Sequence, residues 1–268
     1  MSHLSQRSLK SWLMPAALMF SLAGCTSDDY NERRAEQDEV SDIKIAAFSA
    51  SPVGAVPADW EPMIIQRNKK LTEYQLVSDE GRSVLHARAA SASSGLMHKV
   101  DIDPMQQRQL TWEWRISRLV ETADNFDRTR EDSPARIILG FDGDKDELPF
   151  ADQIMFETAK LVTGREIPYA TLMYIWGRKA PVETIITNAR SGRVKMIVAA
   201  TGREGVGEWQ AFSRDIVADY ERAFGEKPGR LIGVGVLTDT DNTGETVEAW
   251  YGDIDLLRQR FVAPAALD

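Results

Sequence analysis

The sequence predicts a fold dominated by β structure: an antiparallel, jelly-roll-like β-sandwich with two short helices, in a single domain spanning residues 44–260. Three observations predict it. Residues 108–116 alternate strictly. Leu110, Trp112, Trp114 and Ile116 fall on one face, and Gln109, Thr111, Glu113 and Arg115 on the other. That is the period of a half-buried strand. Similar short segments recur, separated by Gly-containing turns such as Asp79-Glu80-Gly81 and Ser191-Gly192. Strands and helices do not alternate regularly, which favours two packed antiparallel sheets over a parallel one.

In chain order, strands are expected at 61–66, 72–78, 83–90, 95–102 and 108–116. Ile137, Leu139 and Phe141 line one face of the next. A helix is expected over 150–162, with Ala151, Ile154, Met155, Ala159 and Val162 on its buried face and Gly164 after it. Residues 169–176 are apolar on both faces apart from Thr171, the pattern of a central strand. Val194, Met196, Val198 and Ala200 line one face of another strand, and 208–214 form one more. Asp215 then caps a second helix, with Ile216, Val217, Tyr220, Ala223 and Phe224 at helical spacing and Gly225 as the stop. Strands at 231–237 and 246–256 complete the domain, and residues 261–268 form a tail.

The N-terminus carries a different signal. Arg7 and Lys10 precede a short apolar run over 11–23, interrupted by Pro15 and ending Leu22-Ala23-Gly24-Cys25. A charged start, an apolar middle and small residues at a cut point make a secretory signal, here residues 1–24. The run falls short of the ~20 residues of a spanning helix. Its ending resembles the lipobox of bacterial lipoproteins, which implies cleavage before Cys25 and acylation of that cysteine. Acyl chains contribute about 0.8 kcal/mol per buried CH₂, so several on one residue anchor a protein stably. Thr26, rather than Asp, follows the cysteine, and the resemblance then implies the outer membrane, facing the periplasm. Residues 25–43 are the acylated cysteine and a polar tether with too few apolar residues to order itself.

The chain has 41 acidic and 32 basic residues, a net charge of −9. Loss of Arg7 and Lys10 with the leader makes it more acidic. Such a surface repels phosphate backbones, so no nucleic-acid partner is expected. Cys25 is the only cysteine. Once acylated, it leaves neither a disulfide nor a thiol nucleophile.

An ordered series of short segments carries a resemblance. Trp112-Glu113-Trp114-Arg115 is followed by Asp132-Ser133-Pro134-Ala135-Arg136-Ile137-Ile138, Tyr174-Ile175-Trp176 and Trp209-Gln210-Ala211-Phe212-Ser213-Arg214-Asp215. Asp219-Tyr220, Phe224-Gly225, Thr238-Asp239-Thr240-Asp241-Asn242-Thr243-Gly244 and Tyr251-Gly252-Asp253-Ile254 complete it. The series resembles the bacterial domain-of-unknown-function 3047 family over residues 45–257. The resemblance implies a jelly-roll sandwich similar to galactose-binding and carbohydrate-binding modules. It implies no activity.

Candidate chemistry is sparse. The mature chain keeps His86 and His98, without metal-ligand spacing, and no cofactor or metal is expected. The loop Asp239–Gly244 has calcium-like acidic positions, but Trp250 stands where a bidentate Glu is needed. Asp142–Glu147 departs further from that pattern, and both stretches suit polar turns. An enzyme acting on polysaccharide would need two carboxyl groups about 5–10 Å apart, with Glu113 and either Asp239 or Asp241 as candidates. A solvated strand face explains Glu113 without catalysis. The leading expectation is non-catalytic binding of a saccharide or similar polar ligand by Arg136, Trp176, Arg214, Asp239, Asp241 and Asn242. Planar guanidinium donors beside amide and carboxylate acceptors suit hydroxyls or a small acidic group. A purely structural envelope protein with a protein partner is the third reading.

Overall fold

The computed structural model describes residues 42–163, 167–189 and 191–258. The predicted signal (1–24), Cys25, nearly all of the tether and the tail (261–268) lie outside the described residues. Among the described residues thirteen strands form: β1 (Ile43–Ala46), β2 (Trp60–Met63), β3 (Glu73–Asp79), β4 (Arg82–Ala90), β5 (Ser93–Ile102), β6 (Gln107–Ile116), β7 (Arg136–Phe141), β8 (Ala170–Gly177), β9 (Ile185–Thr187), β10 (Val194–Thr201), β11 (Gln210–Asp215), β12 (Leu231–Asp239) and β13 (Thr246–Arg258). Two helices interrupt them, α1 (Phe150–Thr163) and α2 (Ile216–Phe224). No helix among the described residues is long and apolar enough to cross a membrane.

One sheet runs β11-β6-β13-β4-β3, with β1 also pairing with β13; the other runs β2-β5-β12-β7-β8-β10-β9. They make the predicted two-sheet sandwich. All pairings are antiparallel except β8 with β10, which is parallel. That exception follows from the insertion of β9: the chain leaves β8, pairs antiparallel to β10 at the sheet edge, and turns back. Strands β1 and β9 were not expected from sequence. They are four and three residues long, too short to show a period.

The alternation of β6 places Trp112 and Trp114 between the sheets. Trp112 stacks on Tyr174 of β8 at 4.8 Å and on Phe212 of β11 at 4.9 Å, while Trp114 lies 6.3 Å from Trp176. Offset and tilted pairs of this kind add to the area buried. The Nε1 groups of both Trp112 and Trp114 are buried without a hydrogen-bond partner among the described residues. Each such donor costs about 1–3 kcal/mol, which the aromatic packing must exceed. Trp176, expected to contact ligand, is 1% exposed and its Nε1 donates to the Gly202 carbonyl. A central strand buried on both faces leaves no position for an exposed side chain.

The seven-stranded sheet has a second, smaller core on its outer face. Ile175, Ala180, Ile186, Met196 and Val198 pack there, beneath the segment that includes β9. The predicted apolar face of β10 therefore divides. Met196 and Val198 join this outer cluster, whereas Ala200 joins Ile197 in the main core, because a bulge between Val198 and Ala200 shifts the register. Helix α2 begins as predicted: the Asp215 carboxylate accepts from the Val217 and Ala218 N–H groups, and Gly225 ends the helix at φ 76°. In α1 the expected face is corrected at Ile154, which is exposed, while Phe156 is buried beneath the ammonium of Lys145. His98 stacks on Trp60 and bonds the Asp59 carbonyl; His86 bonds Glu248.

Tyr251 fastens the sheets together. It lies on β13, yet its hydroxyl donates to the Leu237 carbonyl of β12 at 2.9 Å and accepts from the Arg136 N–H of β7 at 3.3 Å. It also shares a 2.8 Å hydrogen bond with the Thr238 hydroxyl. Tyr251→Phe strips partners from buried groups in the other sheet and is expected to cost about 1–3 kcal/mol in urea melts. A variant as stable as the wild type would show that this hydroxyl does not join the sheets energetically.

Candidate functional site

A pocket of about 130 Å³ opens on the outer face of the seven-stranded sheet. Alternation puts it there. Ile137 and Leu139 of β7 point into the main core, so Arg136 points outward. On β12, Val234 and Val236 point inward, so Leu237 and Asp239 share the outer face with it. The loop after β12 brings Asp241 and Asn242 to the rim. Four of the six residues expected to bind ligand, Arg136, Asp239, Asp241 and Asn242, therefore line one pocket.

The other two do not. Trp176 lies in the core, and only its carbonyl supports the site, by accepting from the Ser133 hydroxyl at 2.9 Å. Arg214 leaves β11 toward α2, where its Nε donates to Asp219 at 2.8 Å and its Nη1 to Glu183 at 2.5 Å. Asp219 is buried and also accepts from the Tyr174 hydroxyl. The Arg214 hydrogen bond holds the Glu183 carboxyl down at about 2. Arg214 is thus a structural ion-pair residue that ties α2 to the β8–β9 connection. Sequence proximity to a helix cap does not separate that role from ligand contact.

Arg136 is 4% exposed. Its Nε and Nη2 both donate to Asp239, at 3.0–3.2 Å, and Nη2 also reaches the Glu131 carbonyl. Its Nη1 contacts the Met196 sulfur at 3.3 Å. Asp239 accepts further from the Ser133 N–H at 2.9 Å. Asp132, also buried, binds the loop that carries Asp241. It accepts from the Asn242 N–H at 3.1 Å and from the Thr243 N–H and hydroxyl at 2.7 Å each. Asp241 pairs with Lys69 at 2.8 Å. The Asn188 amide donates to Glu131 at 3.0 Å across the mouth.

Ligand oxygens of Asp132, Asp239 and Asp241 lie within 4.8 Å of one another, a spacing that suits a cation. Each is already engaged: Asp239 with a guanidinium, Asp241 with an ammonium, and Asp132 with N–H and O–H donors. The polar-turn reading of the Asp239–Gly244 loop accounts for these contacts. Glu113, the other half of the enzymatic candidate pair, pairs with Arg82 on the outer face of the opposite sheet. Packed sheets lie about 10 Å apart, and Glu113 and Asp239 point away from each other. They do not flank a common bond.

Sequence reasoning missed Lys69, Glu131, Asp132 and Asn188 as parts of the site. Asp132 stands in a motif singled out for resemblance, four residues before Arg136. Lys69 comes from the β2–β3 connection and carries no local signal of its partner, 172 positions away.

The Asp239 carboxyl lies well above its ordinary value of 3.8, at about 7. Burial is the largest cause. The Arg136 charge pulls it down, the Asp132 carboxylate pushes it up, and the Ser133 N–H pulls it down again. A carboxyl raised on folding contributes stability in full below its unfolded value and loses it as pH rises through the folded value. The stability of the wild type relative to Asp239→Asn should therefore fall between about pH 4 and about pH 7. Urea melts across that window test this; a flat or rising difference contradicts it.

The family model for "Protein of unknown function (DUF3047)" matches residues 58–255. Comparison with curated proteins finds no match. Among solved structures, the K2 cleaved adhesin domain of Lys-gingipain is 11% identical, with 81% of this chain and 99% of that one covered at a TM-score of 0.37. The family 30 carbohydrate-binding module of a cellulosomal cellulase of Clostridium thermocellum is 12% identical, with 82% and 99% covered and a TM-score of 0.37. The CBM22-1–GH10 modules of a Clostridium thermocellum xylanase are 11% identical, with 85% and 30% covered and a TM-score of 0.33. Scores at this level are too low to carry a function across.

Proposed function

The chain belongs to the family of proteins of unknown function DUF3047, and from that premise we propose that it is a non-catalytic binding module for a saccharide or similar polar ligand. The observation that carries the reading is the pocket itself. Donors from Arg136 and Lys69 converge there with acceptors from Asp239, Asp241 and Asn242 over a floor that includes Met173, Met196 and Leu237. A few convergent polar groups on an apolar floor are the usual make-up of a small-molecule site. At about 130 Å³ the pocket suits one small polar unit, below the roughly 300–1,000 Å³ of a drug-sized site. The buried Arg136–Asp239 pair supplies a rigid base, and the more exposed Lys69–Asp241 pair is the part a ligand exchanges with.

We also propose that the module is carried on an outer-membrane lipid anchor at Cys25, facing the periplasm. The support is the charged start, the short apolar run, the small residues ahead of the cysteine, and Thr26 after it. The tether would then let the domain sample a shell on the order of 25 Å from the membrane.

A glycan array probed with the protein tests the first proposal. Lys69→Ala and Asp241→Asn are expected to lower the array signal at least about tenfold while costing less stability than Arg214→Ala, since their pair is partly solvated. Arg214→Ala is expected to cost at least about 2 kcal/mol, because it removes two charged donors from the buried Asp219 carboxylate, and to leave the signal in place. Absence of any glycan signal for the wild type, or equal signals for all three variants, contradicts the assignment. For the anchor, radiolabelled palmitate should enter the wild type and not Cys25→Ser; equal labelling of both rules it out.

A further inference from the structure

A second pocket, of about 280 Å³, lies between residues 123–126 of the β6–β7 connection and residues 178–181 of the β8–β9 connection. It differs in chemistry from the first. Two adjacent cations, Arg178 and Lys179, line it. Among the described residues neither has an ion-pair or hydrogen-bond partner. The side chains of Arg67, Lys70, Arg128 and Lys227 likewise have no such partner, but none of them lines this pocket. Arg82, Arg108, Arg115, Arg193 and Arg214 all face carboxylates, as expected of a chain whose net charge is −9.

Two further features face the same space. Asn125 is only 6% exposed. Its Nδ2 donates to the Asp132 carbonyl at 3.2 Å and to the Glu131 carbonyl at 3.5 Å, which orients the amide. Its Oδ1 accepts no hydrogen bond from any described residue. An acceptor held in place and left open is a feature of a binding site. Beside it Phe126 is 64% exposed, with Ala180 and Pro181 on the opposite wall. The one carboxylate in the lining, Asp124, is engaged in its own loop. It accepts from the Phe126 N–H at 3.1 Å and lies 3.8 Å from Arg130.

We infer that this pocket is a site for a carboxylated sugar, a hexuronate unit. Its carboxylate sits between the Arg178 guanidinium and the Lys179 ammonium. One of its hydroxyls donates to Asn125 Oδ1, and the C–H face of its ring lies against Phe126. Each component answers one group that the fold leaves unused. A neutral sugar leaves both cations unanswered. A polyphosphate offers neither a hydroxyl for the Asn125 acceptor nor a C–H face for Phe126. The site is independent of the first pocket, although Asn125 bonds the carbonyls of Glu131 and Asp132, the segment that also supports Arg136.

Calorimetric titration of the full chain in detergent with trigalacturonate, and with its neutral counterpart galactotriose, tests the inference. Trigalacturonate is expected to bind at least about tenfold more tightly than galactotriose, and more weakly at high salt. The double variant Arg178→Ala/Lys179→Ala should weaken it at least about tenfold, and Phe126→Ala at least about fivefold. Circular dichroism of each variant checks that it folds as the wild type does. Lys227→Ala, which removes an exposed cation elsewhere, should bind as the wild type does. The inference is overturned if trigalacturonate binds no more tightly than galactotriose. It is also overturned if the double variant binds trigalacturonate as the wild type does.

Discussion

Burial of a guanidinium beside a carboxylate is the constraint around which one end of this sandwich is arranged. Taking the charges of Arg136 and Asp239 out of water costs several kcal/mol per ion unless every remaining lone pair and N–H finds a partner. The neighbouring chain supplies those partners. The Ser133 N–H reaches Asp239, the Glu131 carbonyl accepts from the Arg136 guanidinium, and Tyr251 of the other sheet accepts the Arg136 main-chain N–H. Asp132 then uses its position in the same segment to hold the loop that follows β12. The irregular stretch 131–135 is thus fixed by electrostatics rather than by strand pairing, and the pocket takes its shape from it.

The domain uses its other arginines differently. Arg214 connects β11, α2 and the β8–β9 connection through Glu183 and Asp219. Arg115 lies between Trp209 and Trp250 and pairs with Asp79, while Arg82 covers Trp209 and pairs with Glu113. These contacts cover the outer face of the six-stranded sheet with stacked planar groups. Glu113 is held there by Arg82, which makes that carboxylate a structural partner. On the seven-stranded sheet the outer face is partly covered by the chain itself, through the cluster of Ile175, Ala180, Ile186, Met196 and Val198. The edges of that cover form walls of both pockets, so pocket walls and covering segment arise from the same insertion between β8 and β10.

Much of the architecture was legible in the sequence because burial leaves a period. The alternation at Leu110, Trp112, Trp114 and Ile116, the apolar run over 169–176, and the Asp215 and Gly225 caps each reflect an interaction within a few residues. Pairing of Arg136 with Asp239 was foreshadowed only as two residues of suitable chemistry on separate strands. The strands too short to show a period, β1 and β9, were invisible, and so was the bulge that turns Ala200 inward.

By itself the sequence determined the two-sheet class, the strand and helix sequence, the acidic charge and the family, since all of these depend on local pattern and composition. The tertiary structure alone decided which charged groups meet. Lys69 and Asp241, and Arg214 and Glu183, are brought together by sheet order and by loop paths that cross the ends of the strands. It also decided that Trp176 is core and that Arg178 and Lys179 are left over. The physical reason is range. Hydrophobic alternation is set by each strand's own two faces, whereas a polar side chain's role depends on which distant group satisfies it, and no spacing along the chain encodes that.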